Sequence, residues 1–283
     1  MEIISYSERG IISSLFYEIM YSNNSSDKLN ILWRLVKALS SNNIPVVDFN
    51  QYDIEILLEH SLSEFGSPEV VVLLNPKANY GMNHKIIIFI EGKVSAEESH
   101  NLKKCFDVFR EAALNLNKIY NTGRHKGFAS NLFVQLYHKA VLMDGLRNIP
   151  WGNMTQLERS EYYINTNIFR TAIKHRSGRK VGDNLTVHET VTKIKSHLDA
   201  NTTTYYIGVV PKVRKRQPHN NEIVNQIEQE ERNLALEGLQ VFFESAGFIF
   251  WEDIRDQLCS GEESQLPNTK KVFQFNGEQI CLG

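Results

Sequence analysis

Two short runs of apolar, mostly β-branched residues constrain the fold of this chain more than any other feature. They cover residues 70–74 and 86–90, and neither run contains a polar side chain. Continuous apolar runs of this length are typical of strands that are buried on both faces of a sheet. Before the two runs, the apolar residues Ile54, Ile56 and Leu58 recur at every second position, which predicts a further strand there. Since turn-forming residues separate the runs, we expect these three strands to form a meander.

Helical periodicity is found on both sides of these strands. Apolar residues recur at three- and four-residue spacing over residues 11–20 and 27–39, which predicts two helices before the meander. After it, Ser95 and Glu98 form a capping box that begins a third helix, and a fourth is predicted over about 128–146. Further elements are predicted downstream: a strand over 205–210, a charged helix over about 222–245 and an aromatic strand over 248–251. The sequence therefore predicts an α/β fold with a central mixed β-sheet flanked by α-helices.

The length of 283 residues fits one large domain. Hydrophobic residues make up 42% of the chain, which is enough for a substantial core. We expect a single domain over residues 1–283, with a candidate insertion at about 148–201 and a C-terminal helix–strand extension at about 222–283.

The composition also argues against several classes of protein. No stretch approaches the roughly 18 consecutive apolar residues of a membrane-spanning helix, so no membrane association is expected. The first residues lack a basic region followed by an apolar core, so we expect no signal peptide. Cys105, Cys259 and Cys281 are far apart and odd in number, which argues against a disulfide framework or a zinc site and favours a reducing cytoplasm.

Charge is distributed unevenly along the chain, although the net charge is only −2. Between residues 170 and 216, eleven Lys and Arg residues stand against three acidic residues, whereas between 222 and 263 eleven acidic residues stand against two arginines. The first segment is suited to a basic surface that binds nucleic acid. Alternatively, the two segments neutralise each other.

Charged residues stand at neighbouring ends of the two apolar runs. Glu69 follows Pro68 at the start of one run, while Glu91, Gly92 and Lys93 follow the other. If the two strands are antiparallel neighbours, both carboxylates lie at one edge of the sheet, with Lys93 on the same face as Glu91. Mg²⁺ prefers such oxygen ligands, and a lysine can orient a water or offset negative charge. The alternative is a surface hairpin that ends in ordinary charges.

This arrangement resembles the PD-(D/E)XK, or restriction-endonuclease-like, nuclease superfamily. The matching motifs are Pro68-Glu69 and Glu91-Gly92-Lys93, with 21 residues between the two glutamates, and the order of elements is similar. Glu69 stands where aspartate is commoner in the family. The resemblance implies a Mg²⁺-dependent endonuclease, with Mn²⁺ as a substitute, that hydrolyses phosphodiester bonds in DNA. Glu69 and Glu91 would be metal ligands, and they would form the catalytic set with Lys93.

The resemblance also implies roles for residues outside this motif. Many members add an acidic metal ligand from the first helix, and here Glu8 is a better candidate than Glu18. Alternatively, Glu8 only stabilises the helix N-terminus, where a negative charge is favoured. Gln135 and Lys139 lie one helical turn apart after the meander, where related nucleases often carry a polar pair that contacts phosphate. A solvated helix face is the other interpretation of this pair.

A basic loop follows the predicted strand at 205–210. It contains four candidate contacts to DNA phosphates: Lys212, Arg214, Lys215 and Arg216. Family resemblance further suggests a prokaryotic role in antiviral defence or DNA processing, with a homodimer or a partner subunit as open alternatives. The competing hypothesis is a nuclease-like module that binds nucleic acid or protein without cleavage. A third is a nuclease that needs an activator.

Overall fold

A computed structural model describes most of the predicted core. The described residues are 8–39, 44–60, 62, 68–93, 102–114, 131–148, 185–212, 239–260 and 265–275. The predicted capping box and most of the predicted helix over 222–245 lie outside these residues. Within them, the chain is an α/β structure with a six-stranded mixed sheet.

Eight α-helices are present among the described residues. They are α1 (Glu8–Met20), α2 (Ser25–Leu35), α3 (Leu102–Leu114), α4 (Leu132–Asn148), α5 (Leu185–His197), α6 (Leu239–Glu244), α7 (Trp251–Ile254) and α8 (Pro267–Phe275). The strands are β1 (Lys37–Ala38), β2 (Tyr52–Leu58), β3 (Val70–Pro76), β4 (Ile86–Gly92), β5 (Thr203–Val210) and β6 (Ala246–Phe250). Within this part of the chain, no helix is long and apolar enough to span a membrane.

The sheet has the strand order β1-β6-β5-β4-β3-β2. Strand β3 pairs antiparallel with both β2 and β4, which confirms the predicted meander. Strand β5 lies parallel to β4, and β6 lies parallel to β5. The segment predicted as a C-terminal extension thus contributes β6 to the central sheet, and the carboxyl ends of β4, β5 and β6 meet at one edge.

The sheet is buried on both faces, which explains the continuous apolar runs. One set of alternate residues packs on the side of α3 and α4: Val71, Leu73, Ile87 and Phe89. The other set packs on the side of α1 and α2: Val70, Val72, Ile88 and Ile90. Burial of each such side chain stabilises the fold by about 1.5–3 kcal/mol, so β3 and β4 anchor the structure from both sides.

The second helix is shorter than its periodicity predicts. It ends at Leu35 rather than at residue 39, because Val36 adopts an extended conformation. Lys37 and Ala38 then form β1, which pairs with β6. The apolar spacing over 27–39 therefore spans both a helix and an edge strand, and the tertiary pairing with β6 decides where the helix stops.

The burial of His197 makes the stability of this fold depend on pH. His197 ends α5 and is only 6% exposed, and burial, together with the nearby Lys85, lowers its pKa. The unfolded chain therefore takes up a proton near pH 6.5 more readily than the folded chain does. We expect the free energy of unfolding to fall as the pH drops below about 6.5, measured by urea denaturation from about pH 7 to about pH 5.

The variant His197→Gln should have a shallower dependence of stability on pH over the same range. His84→Gln is the matched control, because His84 is exposed, and it should keep the wild-type dependence. An unchanged slope in His197→Gln would contradict this assignment.

Candidate metal centre

Glu69 and Glu91 are brought together by the register of β3 and β4. The ladder pairs Val70 with Ile90, so Glu69, in the bend that precedes β3, lies close to Glu91 near the end of β4. The alternation along β4 places Glu91 on the side of α3 and α4, with Ile87 and Phe89. The two carboxylates therefore lie at neighbouring strand ends, at the edge where β4 ends, and both act on the pKa of Lys139.

Four charged side chains are almost completely buried at this edge. The exposed fractions are 2% for Glu69, 1% for Glu91, 3% for Lys93 and 0% for Lys139. An unpaired buried charge is strongly unfavourable, and here two carboxylates face two ammonium groups. The alternative of a surface hairpin with ordinary charges is therefore wrong.

Lys139 forms a buried ion pair with Glu91. Its Nζ lies 2.6 Å from Oε1 of Glu91. Burial lowers the pKa of Lys139, while the Glu91 carboxylate opposes this shift and Lys93 adds to it. At this distance the contact is a charge-assisted hydrogen bond, and that bond also opposes the lowering of the Lys139 pKa. The interpretation of Lys139 as part of a solvated helix face is wrong.

A glycine on β5 lets α4 approach Glu91. Gly208 is the cross-strand neighbour of Glu91 in the parallel ladder. A Cβ at Gly208 would lie 2.9 Å from Cδ2 of Leu132 and 2.8 Å from the ring of Phe248. The absence of a side chain therefore allows the first turn of α4 to pack directly on β5, which holds Lys139 within reach of Glu91.

Glu69 is held by the backbone of the neighbouring strand. One of its carboxylate oxygens accepts a hydrogen bond from the N–H of Gly92. A Cβ at Gly92 would lie 3.1 Å from Oε2 of Glu69 and 2.5 Å from Cδ1 of Ile12 on α1. Glycine at this position thus permits the close approach of both the carboxylate and the helix.

The backbone of Lys93 is fixed on both sides. Its N–H donates to the carbonyl of Val209 at 2.8 Å. Its carbonyl accepts from Nε1 of the fully buried Trp251 at 3.2 Å. Strand β5 and α7 therefore fix the chain immediately after Glu91, where the buried Lys93 side chain begins.

Gln135 lies one helical turn before Lys139 on α4. Its Oε1 is buried and has no hydrogen-bond partner among the described residues. A buried polar atom without a partner is uncommon in a folded protein. Gln135 therefore places an unused acceptor on the helix that carries Lys139.

Of the other predicted site residues, the structure describes the side chain of Lys212. Glu8 begins α1, but its side chain lies outside the described part of the structure, as do Arg214, Lys215 and Arg216. Lys212 follows β5 at the same edge as Glu91. Its Nζ lies 2.9 Å from Asp253, and its N–H donates to Glu252. A DNA phosphate at Lys212 would therefore compete with Asp253.

The residues present fit a hard divalent cation. Two buried carboxylates lie on adjacent strand ends, and Oε1 of Glu91 contacts the ammonium group of Lys139, a cation that a metal would replace. No group of three or more His, Cys, Asp or Glu side chains suited to a metal is found in those ranges. Mg²⁺ needs only one or two protein carboxylates when water and substrate phosphate complete its octahedron, so Glu69 and Glu91 are the residues that would hold it.

Comparison with known proteins adds no relative to this description. No protein-family model matches the sequence, and neither a curated protein nor a solved structure matches it.

Substitutions of Lys139 and Glu91 should have strongly coupled effects on the free energy of unfolding. We expect Glu91→Gln and Lys139→Met each to lower the free energy of unfolding by about 3–5 kcal/mol, because each leaves a buried charge without its partner. The double variant should lose less than the sum of the two single variants, which urea denaturation of all four proteins would measure.

A surface ion pair provides the matched control for this double-mutant cycle. Glu55 and Lys193 also form a salt bridge, but their side chains are 43% and 45% exposed. Glu55→Gln and Lys193→Met should each cost less than about 1 kcal/mol. Additive losses in the Glu91 and Lys139 cycle would show that the two groups do not interact.

Proposed function

We propose that this chain is a Mg²⁺-dependent nuclease that hydrolyses phosphodiester bonds in DNA, on a restriction-endonuclease-like version of the α/β fold. The observation that carries the proposal is the burial of Glu69, Glu91 and Lys93 at one edge of the sheet, where all three act on the pKa of Lys139. Phosphodiester hydrolysis needs a hard cation beside the scissile phosphate and a group that controls water or charge. Glu69 and Glu91 supply the metal ligands, and Lys93 supplies the positively charged group that this chemistry requires.

Each residue has a role that follows from its chemistry. Glu69 and Glu91 would bind the metal, which when bound activates water and stabilises the attacking and leaving oxygens. Lys93 would orient that water and offset the negative charge that develops on the phosphate. The contacts of Lys93 with Val209 and Trp251 keep its backbone fixed, which favours a preorganised position for its side chain.

The fold supports the proposal through the position of the site. Ligands of open sheets with parallel strands bind beside the carboxyl ends of those strands, and Glu91 lies where β4 ends beside the parallel β5. The order of elements, with a helix, a meander, a helix and a parallel strand, is similar to that of the PD-(D/E)XK superfamily. Beyond β5, the segment with Lys212, Arg214, Lys215 and Arg216 offers cations for DNA phosphates.

A second candidate function is a nuclease-like module that binds nucleic acid or a partner without cleavage. The observation that favours it is the contact of Lys139 with Glu91, because an ammonium group already neutralises one of the two carboxylates. In that case the four buried charges would stabilise the fold and would not act as a metal centre.

Cleavage of mixed DNA substrates distinguishes the two functions. With Mg²⁺ or Mn²⁺ we expect the purified chain to nick or linearise plasmid, and EDTA should abolish the cleavage. Glu91→Gln and Lys93→Met should each lower the cleavage rate about 100-fold or more, because they remove a metal ligand and a charge-stabilising group. Rates would be measured from the loss of supercoiled plasmid on gels.

Glu55→Gln is the control for this assay, since Glu55 is a half-exposed carboxylate on β2, the strand at the far edge of the sheet. It should cleave at the wild-type rate. Metal-dependent cleavage that survives in Glu91→Gln would place the active site elsewhere. DNA binding without cleavage by any form would favour the second candidate.

A further inference from the structure

We propose that Lys139 is a resident counter-ion of the metal centre, and that its displacement from Glu91 couples metal binding to nucleic-acid binding. The inference rests on the proposed function and adds a mode of regulation to the same site. Lys139 would hold the place of a cation on Glu91 until metal and substrate phosphate arrive together.

Charge balance gives the first reason. With both carboxylates ionised and both lysines protonated, the cluster of Glu69, Glu91, Lys93 and Lys139 is neutral, and all four residues are at 3% exposure or less. A divalent cation that enters alone would leave this buried cluster with an excess of two positive charges, which is unfavourable away from water. A DNA phosphate group brings a negative charge into the same site. Metal and DNA are therefore expected to favour each other's binding.

The geometry of the contact gives the second reason. Nζ of Lys139 lies 2.6 Å from Oε1 of Glu91, one of the oxygens that a metal would use. Ammonium and metal therefore compete for one atom. Oε1 already accepts a hydrogen bond from the ammonium group, so a metal that binds this oxygen must displace Nζ, and the ammonium group then needs another acceptor.

Gln135 provides a place for the displaced ammonium group. Residues four apart on a helix lie on the same side, so Gln135 and Lys139 are neighbours on α4. Oε1 of Gln135 is buried and has no hydrogen-bond partner among the described residues. A lysine that leaves Glu91 can donate to this oxygen while its positive charge faces the incoming phosphate.

The test is the affinity of the full chain for Mn²⁺, measured by calorimetry with and without a short hydrolysis-resistant phosphorothioate DNA duplex. For the wild type, we expect the duplex to raise Mn²⁺ affinity about 10-fold, within the roughly 5- to 150-fold range of typical coupling between sites. By the same linkage, Mn²⁺ should raise the affinity for the duplex by an equal factor.

Two variants at position 139 separate the counter-ion from other causes of coupling. Lys139→Gln removes the charge but keeps a donor for Glu91, so Mn²⁺ affinity without DNA should rise about 10-fold and the effect of the duplex should shrink. Lys139→Arg keeps the charge and should bind Mn²⁺ as weakly as the wild type does. Lys28→Gln, at a buried lysine on α2, is the control and should leave both affinities unchanged.

The outcomes distinguish this inference from the proposed function. If Lys139→Gln binds Mn²⁺ no more tightly than the wild type, the counter-ion role is overturned, even where the wild type cleaves DNA. If Lys139→Gln does not fold, the measurement on the wild type tests the coupling. A wild-type Mn²⁺ affinity that is the same with and without the duplex overturns it. Absence of both Mn²⁺ binding and cleavage in the wild type overturns the proposed function as well.

Discussion

The buried contact between Lys139 and Glu91 is the interaction on which the rest of the structure depends. It joins the second turn of α4 to the end of β4 in a place that water does not reach, with Nζ 2.6 Å from the carboxylate. Such a pair is stable only if both partners are held in position, because either charge alone would be strongly unfavourable there. Gly208 contributes to this packing, since a Cβ on it would lie 2.9 Å from Cδ2 of Leu132, at the start of α4, and 2.8 Å from the ring of Phe248.

Strand β4 gives this edge of the sheet its chemical character. It is antiparallel to β3 and parallel to β5, so its end meets both the start of β3 and the end of β5. Glu69 comes from the first neighbour, while the second supplies Gly208 and the carbonyl that holds Lys93. A sheet made only of the meander would leave these charges in water, where they would be solvated and would need no buried partner. The parallel strands and α4 turn them into a buried, electrically balanced cluster.

The sequence was sufficient to predict the parts of the fold that depend on local patterns. The apolar runs marked β3 and β4, and the charged residues at their ends predicted the meeting of Glu69 and Glu91. The partner of Glu91 was not foreseen, because nothing local indicates which helix packs against which strand end. A signal was present, however: Lys139 occupies a position in an apolar stripe on α4 that includes Leu132, Leu136, Met143 and Leu146. The stop of α2 at Leu35 and the strand order beyond β4 arise from long-range pairing, which periodicity does not encode.

The most direct test of the central claim, that this buried cluster is a metal centre, is to locate the metal itself. Crystals of the chain soaked in Mn²⁺ with a short DNA duplex would give an anomalous-scattering peak wherever the ion binds. The predicted result is a peak within coordination distance of the carboxylates of Glu69 and Glu91, with Lys139 moved away from Oε1. A cluster in which Lys139 stays on Glu91 and no peak lies beside either carboxylate would contradict it. The four charges would then be a structural ion-pair network.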